Sequence, residues 1–207
     1  MKYSLVAAAF LAGAACASAG PITIVSATGT FNGQAVADWI GETWTQTGTY
    51  NNVTITAQLN GGVSLPTTAN IYLLNNLGPG TTAGANQIAY EFETIPTATQ
   101  GVTLFTGLTL GPGTYYLLAD EVSAGWTGSS SPTYTTDTGV SNISEFTNKG
   151  AIAGYSPDTS YQAVSGGLIF SVTGKPAVSG VPEPASFALV FPALAGLIFL
   201  ARRRGQA

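Results

Sequence analysis

The chemistry open to this chain is set first by what it lacks. It contains no histidine and a single cysteine, Cys16. Neither a Ser-His-Asp nor a Cys-His nucleophile can be assembled, and zinc loses its usual nitrogen and sulfur ligands. Oxygen chemistry remains, as a glycosidase-type carboxylate pair or as acids around calcium. Between Gly20 and Gly180 the acids are Asp38, Glu42, Glu91, Glu93, Asp120, Glu121, Asp137, Glu145 and Asp158. Glu91 and Glu93 lie two apart on a segment whose alternate residues, Ile88, Tyr90 and Phe92, are apolar. That period predicts both acids on the solvent side of a strand. Asp120-Glu121, with Asp137 in the segment beyond, form the one grouping that calcium could use, although EF-hand spacing is absent. The sequence otherwise predicts no metal site and no cofactor.

A second candidate is aromatic. Gly125-Trp126-Thr127-Gly128-Ser129-Ser130-Ser131 reads as a loop, and a tryptophan set among glycine and serine predicts an exposed plate for stacking on sugar rings. Tyr134 lies close enough in sequence to join it. The competing expectation is a tryptophan folded back as a plug over the end of the domain. Trp39 and Trp44 are expected in the core or at its edge. Thr43, Thr45, Thr47 and Thr49 alternate along one stretch, as a flat ice-binding face would require. No fixed-period repeat supports that reading, and threonine is in any case a good strand residue. Asn52-Val53-Thr54 and Asn142-Ile143-Ser144 match the glycosylation sequon, a pattern short enough to arise by chance.

The elements that must position these residues read as strands. Only 8% of residues are charged, and a chain poor in Lys and Glu but rich in Thr, Gly and Tyr favours strands and turns. Val53, Ile55, Ala57 and Leu59 alternate with polar residues and predict one buried face. Leu108-Thr109-Leu110, Gly111-Pro112-Gly113 and Thr114 to Ala119 predict a hairpin. Further strands are expected near Ile22–Val25, Glu42–Tyr50, Ile71–Leu74 and Val102–Phe105, and a last one carries Leu168, Phe170 and Val172. No apolar stretch between Gly20 and Gly174 keeps helical spacing. The expected fold is all-β, an antiparallel β-sandwich of jelly-roll type. Nine acids against two bases, Lys149 and Lys175, leave residues 20–180 with a net charge of −7. Such a domain cannot neutralise phosphates and is not expected to bind nucleic acid.

The two ends read as addresses. Lys2, the apolar run Leu5 to Ala15 and Ala17-Ser18-Ala19 have the layout of a secretory signal helix cut between Ala19 and Gly20. Gly13 stands where a lipoprotein box needs a branched apolar residue, so lipidation at Cys16 is not expected. Near the other end, Ala185 to Ala201 are uncharged and mostly apolar, and Arg202-Arg203-Arg204 follow. As a helix that run would reach roughly 26 Å, the short limit for one membrane span. The arginines place their own side in the cytoplasm and the domain outside, and Pro192 would kink the span. Directly before it, Val181-Pro182-Glu183-Pro184 is held extended by its prolines.

Motif, apolar helix and basic cluster in this order resemble the PEP-CTERM sorting domain, a segment also described as an ice-binding protein C-terminal domain. The resemblance covers residues 181–207. It implies an exosortase-type processing enzyme as partner, with Pro182, Glu183 and Pro184 as recognition residues and Arg202, Arg203 and Arg204 as the stop-transfer cluster. It also implies a Gram-negative host making exopolysaccharide or biofilm matrix. The stretch from Ile71 through Gly78-Pro79-Gly80 to Tyr115-Tyr116-Leu117 is similar to the β-sandwich passenger domains of the choice-of-anchor group. The expected organisation is therefore a signal peptide (residues 1–19), a β-sandwich passenger (20–174), a linker (175–180) and a sorting tail. The tail divides into motif (181–184), transmembrane helix (185–201) and basic cluster (202–204). The expected function is that of an exported, non-enzymatic surface or matrix protein. It would pass signal peptidase and the inner membrane, be held there transiently, and end in the cell envelope, on the surface or in the matrix. The alternative is a polysaccharide-binding module built on Trp126.

Overall fold

Val53, Ile55, Ala57 and Leu59 are all buried, and the residues between them are half-exposed. The two-residue period thus becomes a strand with one face in a core. In the computed structural model, which describes residues 20–30, 33–35, 39–60, 67–77, 86–120, 125–148, 161–163 and 165–177, the same logic produces two antiparallel sheets. The larger contains β1 (Ile22–Thr28), β2 (Gly33–Ala35), β4 (Tyr50–Leu59), β7 (Gln100–Leu110), β9 (Trp126–Ser129), β10 (Thr133–Thr136), β13 (Gly167–Leu168) and β14 (Phe170–Pro176). Its path runs β10-β1-β14-β4-β9-β13, with β7 also on β4 and β2 also on β9. The smaller sheet runs β12 (Tyr161–Ala163), β11 (Val140–Asn148), β3 (Trp39–Gln46), β8 (Gly113–Asp120), β5 (Thr67–Leu74) and β6 (Gln87–Ile95).

Both sheets send side chains into one core. Trp44 of the smaller sheet stacks on Tyr115 of the same sheet, with ring centres 5.6 Å apart, and lies 6.0 Å from the ring of Phe170 in the larger sheet. Among the described residues no helix is long and apolar enough to cross a membrane. Residues 1–19 and 181–207, with the expected signal and tail, lie outside the described residues. β14 continues through Lys175 and Pro176, which pair with Asn51 and Tyr50. The strand therefore takes in the first two residues of the expected linker.

Several expectations are corrected by the pairing. The Gly111-Pro112-Gly113 turn does not close a hairpin: β7 pairs with β4, whereas β8 pairs with β3 and β5. The chain changes sheets there, so Leu110 and Tyr115 enter the one core from opposite sheets. Apolar alternation continues through such a crossover just as through a hairpin, which is why the sequence does not distinguish them. Gln46 fixes this corner. Its Oε1 accepts from Trp44 Nε1 at 3.1 Å, and its Nε2 faces the carbonyls of Gly48, Leu110 and Gly111 at 3.2, 3.3 and 3.0 Å. Replacing Gln46 with Ala leaves a buried indole N–H unmatched and takes a donor from the Leu110 carbonyl, whereas the Gly111 carbonyl keeps the Tyr115 hydroxyl at 2.7 Å. We expect a loss of about 2–3 kcal/mol in urea unfolding, since an orphaned buried polar group costs about 1–3 kcal/mol. A loss below about 0.5 kcal/mol would show that water replaces the amide without penalty.

The threonine stretch is broken as well. β3 ends at Gln46, and Thr47 and Thr49 belong to the turn that leads into β4 in the other sheet. Only Thr43 and Thr45 remain on one strand face, and Thr45 is hydrogen-bonded to Thr114 across β8. A regular four-threonine face is absent from this stretch. Asn52 and Asn142 are the two non-glycine residues with positive φ among the described residues, at 51° and 52°. Each lies at a register shift, in β4 and β11 respectively. Asparagine tolerates the left-handed conformation better than most residues, so these two positions serve as β-bulges.

Candidate functional site

β3 and β11 are neighbours in the smaller sheet, and their register sets Glu42 directly opposite Glu145. Residues so paired share a face. For β3 it is the inner face, where Ile40, Trp44 and Gln46 are also buried. Glu42 is fully buried. Its Oε1 accepts the backbone N–H of Leu168 from β13 of the opposite sheet at 2.5 Å, while its Oε2 is buried without a hydrogen-bond partner. Burial raises the Glu42 carboxyl to about 8; the Leu168 N–H opposes this shift and the nearby charge of Glu145 adds to it. Burial also raises Glu145.

Two further groups close the cluster. Tyr134 of β10 is half-buried and donates to the Gly166 carbonyl at 3.4 Å. Burial raises its phenol, and the charges of Glu42 and Glu145 add to that. Gly166 has φ +138, and a Cβ there would lie 3.0 Å from Oε2 of Glu145. The turn before β13 is therefore packed directly against the second carboxyl.

The sequence names Glu42 and Glu145 only as members of a scattered set of acids. They are 103 positions apart, and pairing distant strands is what local spacing cannot show. The one local signal is that Glu42 falls in phase with Ile40 and Trp44, an inward position for a strand. Glu42, fully buried, does not itself reach the surface, whereas Glu145 is half-buried.

The expected sites fare differently. Trp126 is not an exposed plate. It is 1% exposed, lies in strand β9 within the main core, and donates its indole N–H to the Ile169 carbonyl at 3.0 Å. The glycine and serine around it do not mark a loop: Gly128 pairs with Gly33 of β2 on one side and with Leu168 of β13 on the other. Small residues let three backbones lie close together. Tyr134 bonds to Gly166 and belongs with the carboxyl pair.

The Asp120 and Asp137 calcium grouping does not form. Asp120 pairs with Trp39 at the start of β3, whereas Asp137 adjoins the turn that pairs with its end, where Thr47 N bonds Gly139 O and Val140 lies opposite Gln46. The length of β3, roughly 23 Å at about 3.3 Å per residue, separates them. Glu121 lies outside the described residues. Asp137 instead accepts the Tyr50 hydroxyl at 2.7 Å and the Thr138 N–H at 2.8 Å, beside an open depression of about 430 Å³ lined also by Thr47, Thr49 and Pro176. Burial, then the bond to Asp137, raises the Tyr50 phenol to about 12. Among the described residues no group of three His, Cys, Asp or Glu could hold a metal ion.

β6 departs from expectation in Tyr90 and Phe92, while Glu91 is exposed as expected and Glu93 is half-buried. Its register with β5 puts Ala89, Glu91, Glu93 and Ile95 on the face of Leu73, Ile71 and Ala69, while Tyr90 and Phe92 point outward, 43% and 58% exposed. The outer face offers Tyr90 a partner the inner face lacks: its ring stacks on Tyr72 at 5.1 Å and its hydroxyl donates to Asn70 at 2.8 Å. A register shift at Leu73–Leu74 lets Ile88 and Ala89 both pack on the core.

Of the expected processing residues, Gly20 is exposed two positions before β1. Ala17, Ala19, Pro182, Glu183, Pro184, Arg202, Arg203 and Arg204 lie outside the described residues. No protein-family model, curated protein or solved structure matches the chain.

Proposed function

We propose that the chain is an exported, non-enzymatic surface or extracellular-matrix protein sorted by a PEP-CTERM-type tail. The observation that carries this reading is the order Val181-Pro182-Glu183-Pro184, the uncharged apolar run 185–201 and Arg202-Arg203-Arg204. An acid between two prolines at the edge of an apolar span is not needed by a simple anchor, but it presents an extended segment to a processing enzyme. The partners are signal peptidase and the export machinery, the inner membrane and an exosortase-type enzyme. The destination is the envelope or matrix of a Gram-negative cell.

The two-sheet architecture supports this reading, since both proposed cuts spare it. β1 begins at Ile22, after the first cut, and β14 ends at Pro176, before the second. The passenger is a β-sandwich of jelly-roll type in this proposal. Among the described strands only β5–β6 and β11–β12 are both consecutive and paired, and frequent crossing between sheets favours that topology over a meander. Sugar binding through Trp126 is not retained, because the indole is buried.

The test is to express the full chain in hosts with and without an exosortase and follow its intact mass and location. Wild type should lose the tail and leave the membrane only in the first host. Glu183→Ala, or deletion of residues 202–204, should keep full length after signal removal and stay in the inner membrane. Recovery of tail-bearing wild type in the inner membrane of the exosortase host would overturn the proposal.

A further inference from the structure

The most unusual chemistry in the described residues is a fully buried acid set opposite a half-buried one, with no described base beside them. Glu42 is fully buried and faces Glu145 across the β3–β11 ladder. From β8, the other neighbour of β3, the residue opposite Glu42 is the apolar Leu117. From the larger sheet come the Leu168 N–H of β13 and the Tyr134 phenol of β10. Lys175, the one basic residue among those described, pairs with Asn51 at the far end of β14. Two ionised carboxyls in such a seam repel each other, and the fully buried Glu42 has no solvent to offset its desolvation cost. Something must neutralise one of them.

A proton fits the geometry better than a metal ion. One oxygen of Glu42 is committed to Leu168, which leaves Oε2 of Glu42 and the Glu145 carboxyl. With no third acid joining them among the described residues, the set falls well short of the six to eight oxygens calcium takes. A proton on one carboxyl supplies the donor that the buried Oε2 needs. We propose that Glu42 and Glu145 share a single proton and that the pair is a pH-sensitive latch between the two sheets. It is closed while the proton is held and loosened when the proton leaves.

The latch acts on a defined segment. Glu42 holds Leu168 and Glu145 packs against Gly166, so both carboxyls seat the short stretch that leads into β14. The direction follows from the folded state holding the proton more tightly than the unfolded chain does. Stability from the pair is present in acid and is lost as pH rises from the ordinary carboxylate range towards about 8.

The experiment is thermal unfolding of the full chain in detergent from pH 5 to pH 9, with chelator and then with calcium, together with amide exchange at Leu168. Wild type should lose roughly 5–10 °C of Tm across this range, and Leu168 exchange should speed up beyond its intrinsic pH dependence. Glu42→Gln keeps an oxygen for Leu168 and gains an N–H for Glu145, so it should remove most of that loss and keep Leu168 protected at pH 9. Glu145→Gln removes only the charge contribution and leaves Glu42 buried, so it should make the profile shallower without flattening it. Should both variants fail to fold, infrared spectroscopy of wild type should show a protonated carboxyl band at pH 7 that disappears by pH 9. Overturning results are a flat wild-type profile, an unchanged slope in both variants, or no such band. A calcium-induced rise in wild-type Tm at pH 8 that Glu42→Gln lacks would equally overturn the proposal, in favour of a cation site. None of these readouts involves residues 181–207, so they stand apart from the sorting proposal.

Discussion

Trp126→Ala should destabilise the domain by about 3–5 kcal/mol, the range for removing a buried large aromatic, without altering retention on any polysaccharide. The indole lies in the main core and bonds the Ile169 carbonyl, which also accepts the Gln58 N–H at 2.9 Å, so truncation opens a cavity and removes one hydrogen bond without orphaning the carbonyl. Trp126→Phe separates the two effects. It keeps much of the apolar volume and should lose about 1–3 kcal/mol, from the missing indole hydrogen bond and the smaller ring, since the Ile169 carbonyl still accepts the Gln58 N–H. Urea unfolding at fixed pH measures both, and the folded Phe variant is the proper protein for a pull-down. A loss under about 1 kcal/mol for Trp126→Ala, or loss of sugar binding in the folded Phe variant, would return Trp126 to the surface role its neighbours in sequence imply.

Gly41→Ala should be nearly as damaging although it adds one methyl group. A Cβ at Gly41 would stand 2.3 Å from the Leu117 carbonyl oxygen and 2.4 Å from Cζ of Phe146. Phe146 is opposite Gly41 on β11 and lies over it, an aromatic ring covering a strand glycine as in sheets where such a pair pins the register. It belongs to a second buried cluster with Tyr72, Leu74 and Leu118, against which Tyr116 packs edge-on to Phe146 at 6.0 Å. The ring can swing away, but the Leu117 carbonyl is backbone of the neighbouring strand and can yield only by parting β3 from β8. A loss of about 3 kcal/mol is expected, at the upper end of overpacking costs. Pairing it with Phe146→Leu in a double-mutant cycle should recover only the part due to the ring. Complete recovery would mean that the backbone contact is unimportant.

The sequence and the structure agree where a signal is local and disagree where strands must find distant partners. The period of Val53 to Leu59 is visible in seven residues and gives a buried face directly. β5 is less readable because Ile71, Tyr72, Leu73 and Leu74 are all buried: the smaller sheet has apolar clusters on both faces, which erases the period. At β6 the alternation is legible, but the outward placement of Tyr90 and Phe92 is not. Which face is inward depends on Tyr72 and Asn70 being there to receive Tyr90. The place of Trp126 is hidden for a related reason, since glycine and serine mark loops and also close strand packing. The carboxyl pair was beyond local reading, although the phase of Glu42 with Ile40 and Trp44 already put an acid where only a partner could make it tolerable.

The place of β14 between β1 and β4 bears on the order of assembly. The strand that joins these two ladders is the last to emerge during synthesis of the described domain. Until it arrives, β1 and β4 each present an unpaired side, and the core lacks Phe170 and Val172. Pairing over such sequence distances is slow because the loop entropy is lost before the contacts form. The nascent chain is therefore kept from closing prematurely, and its exposed strand edges have to be shielded from one another. A variant that weakens β14 should thus reveal itself first as aggregation during refolding, and only later as a lower melting temperature.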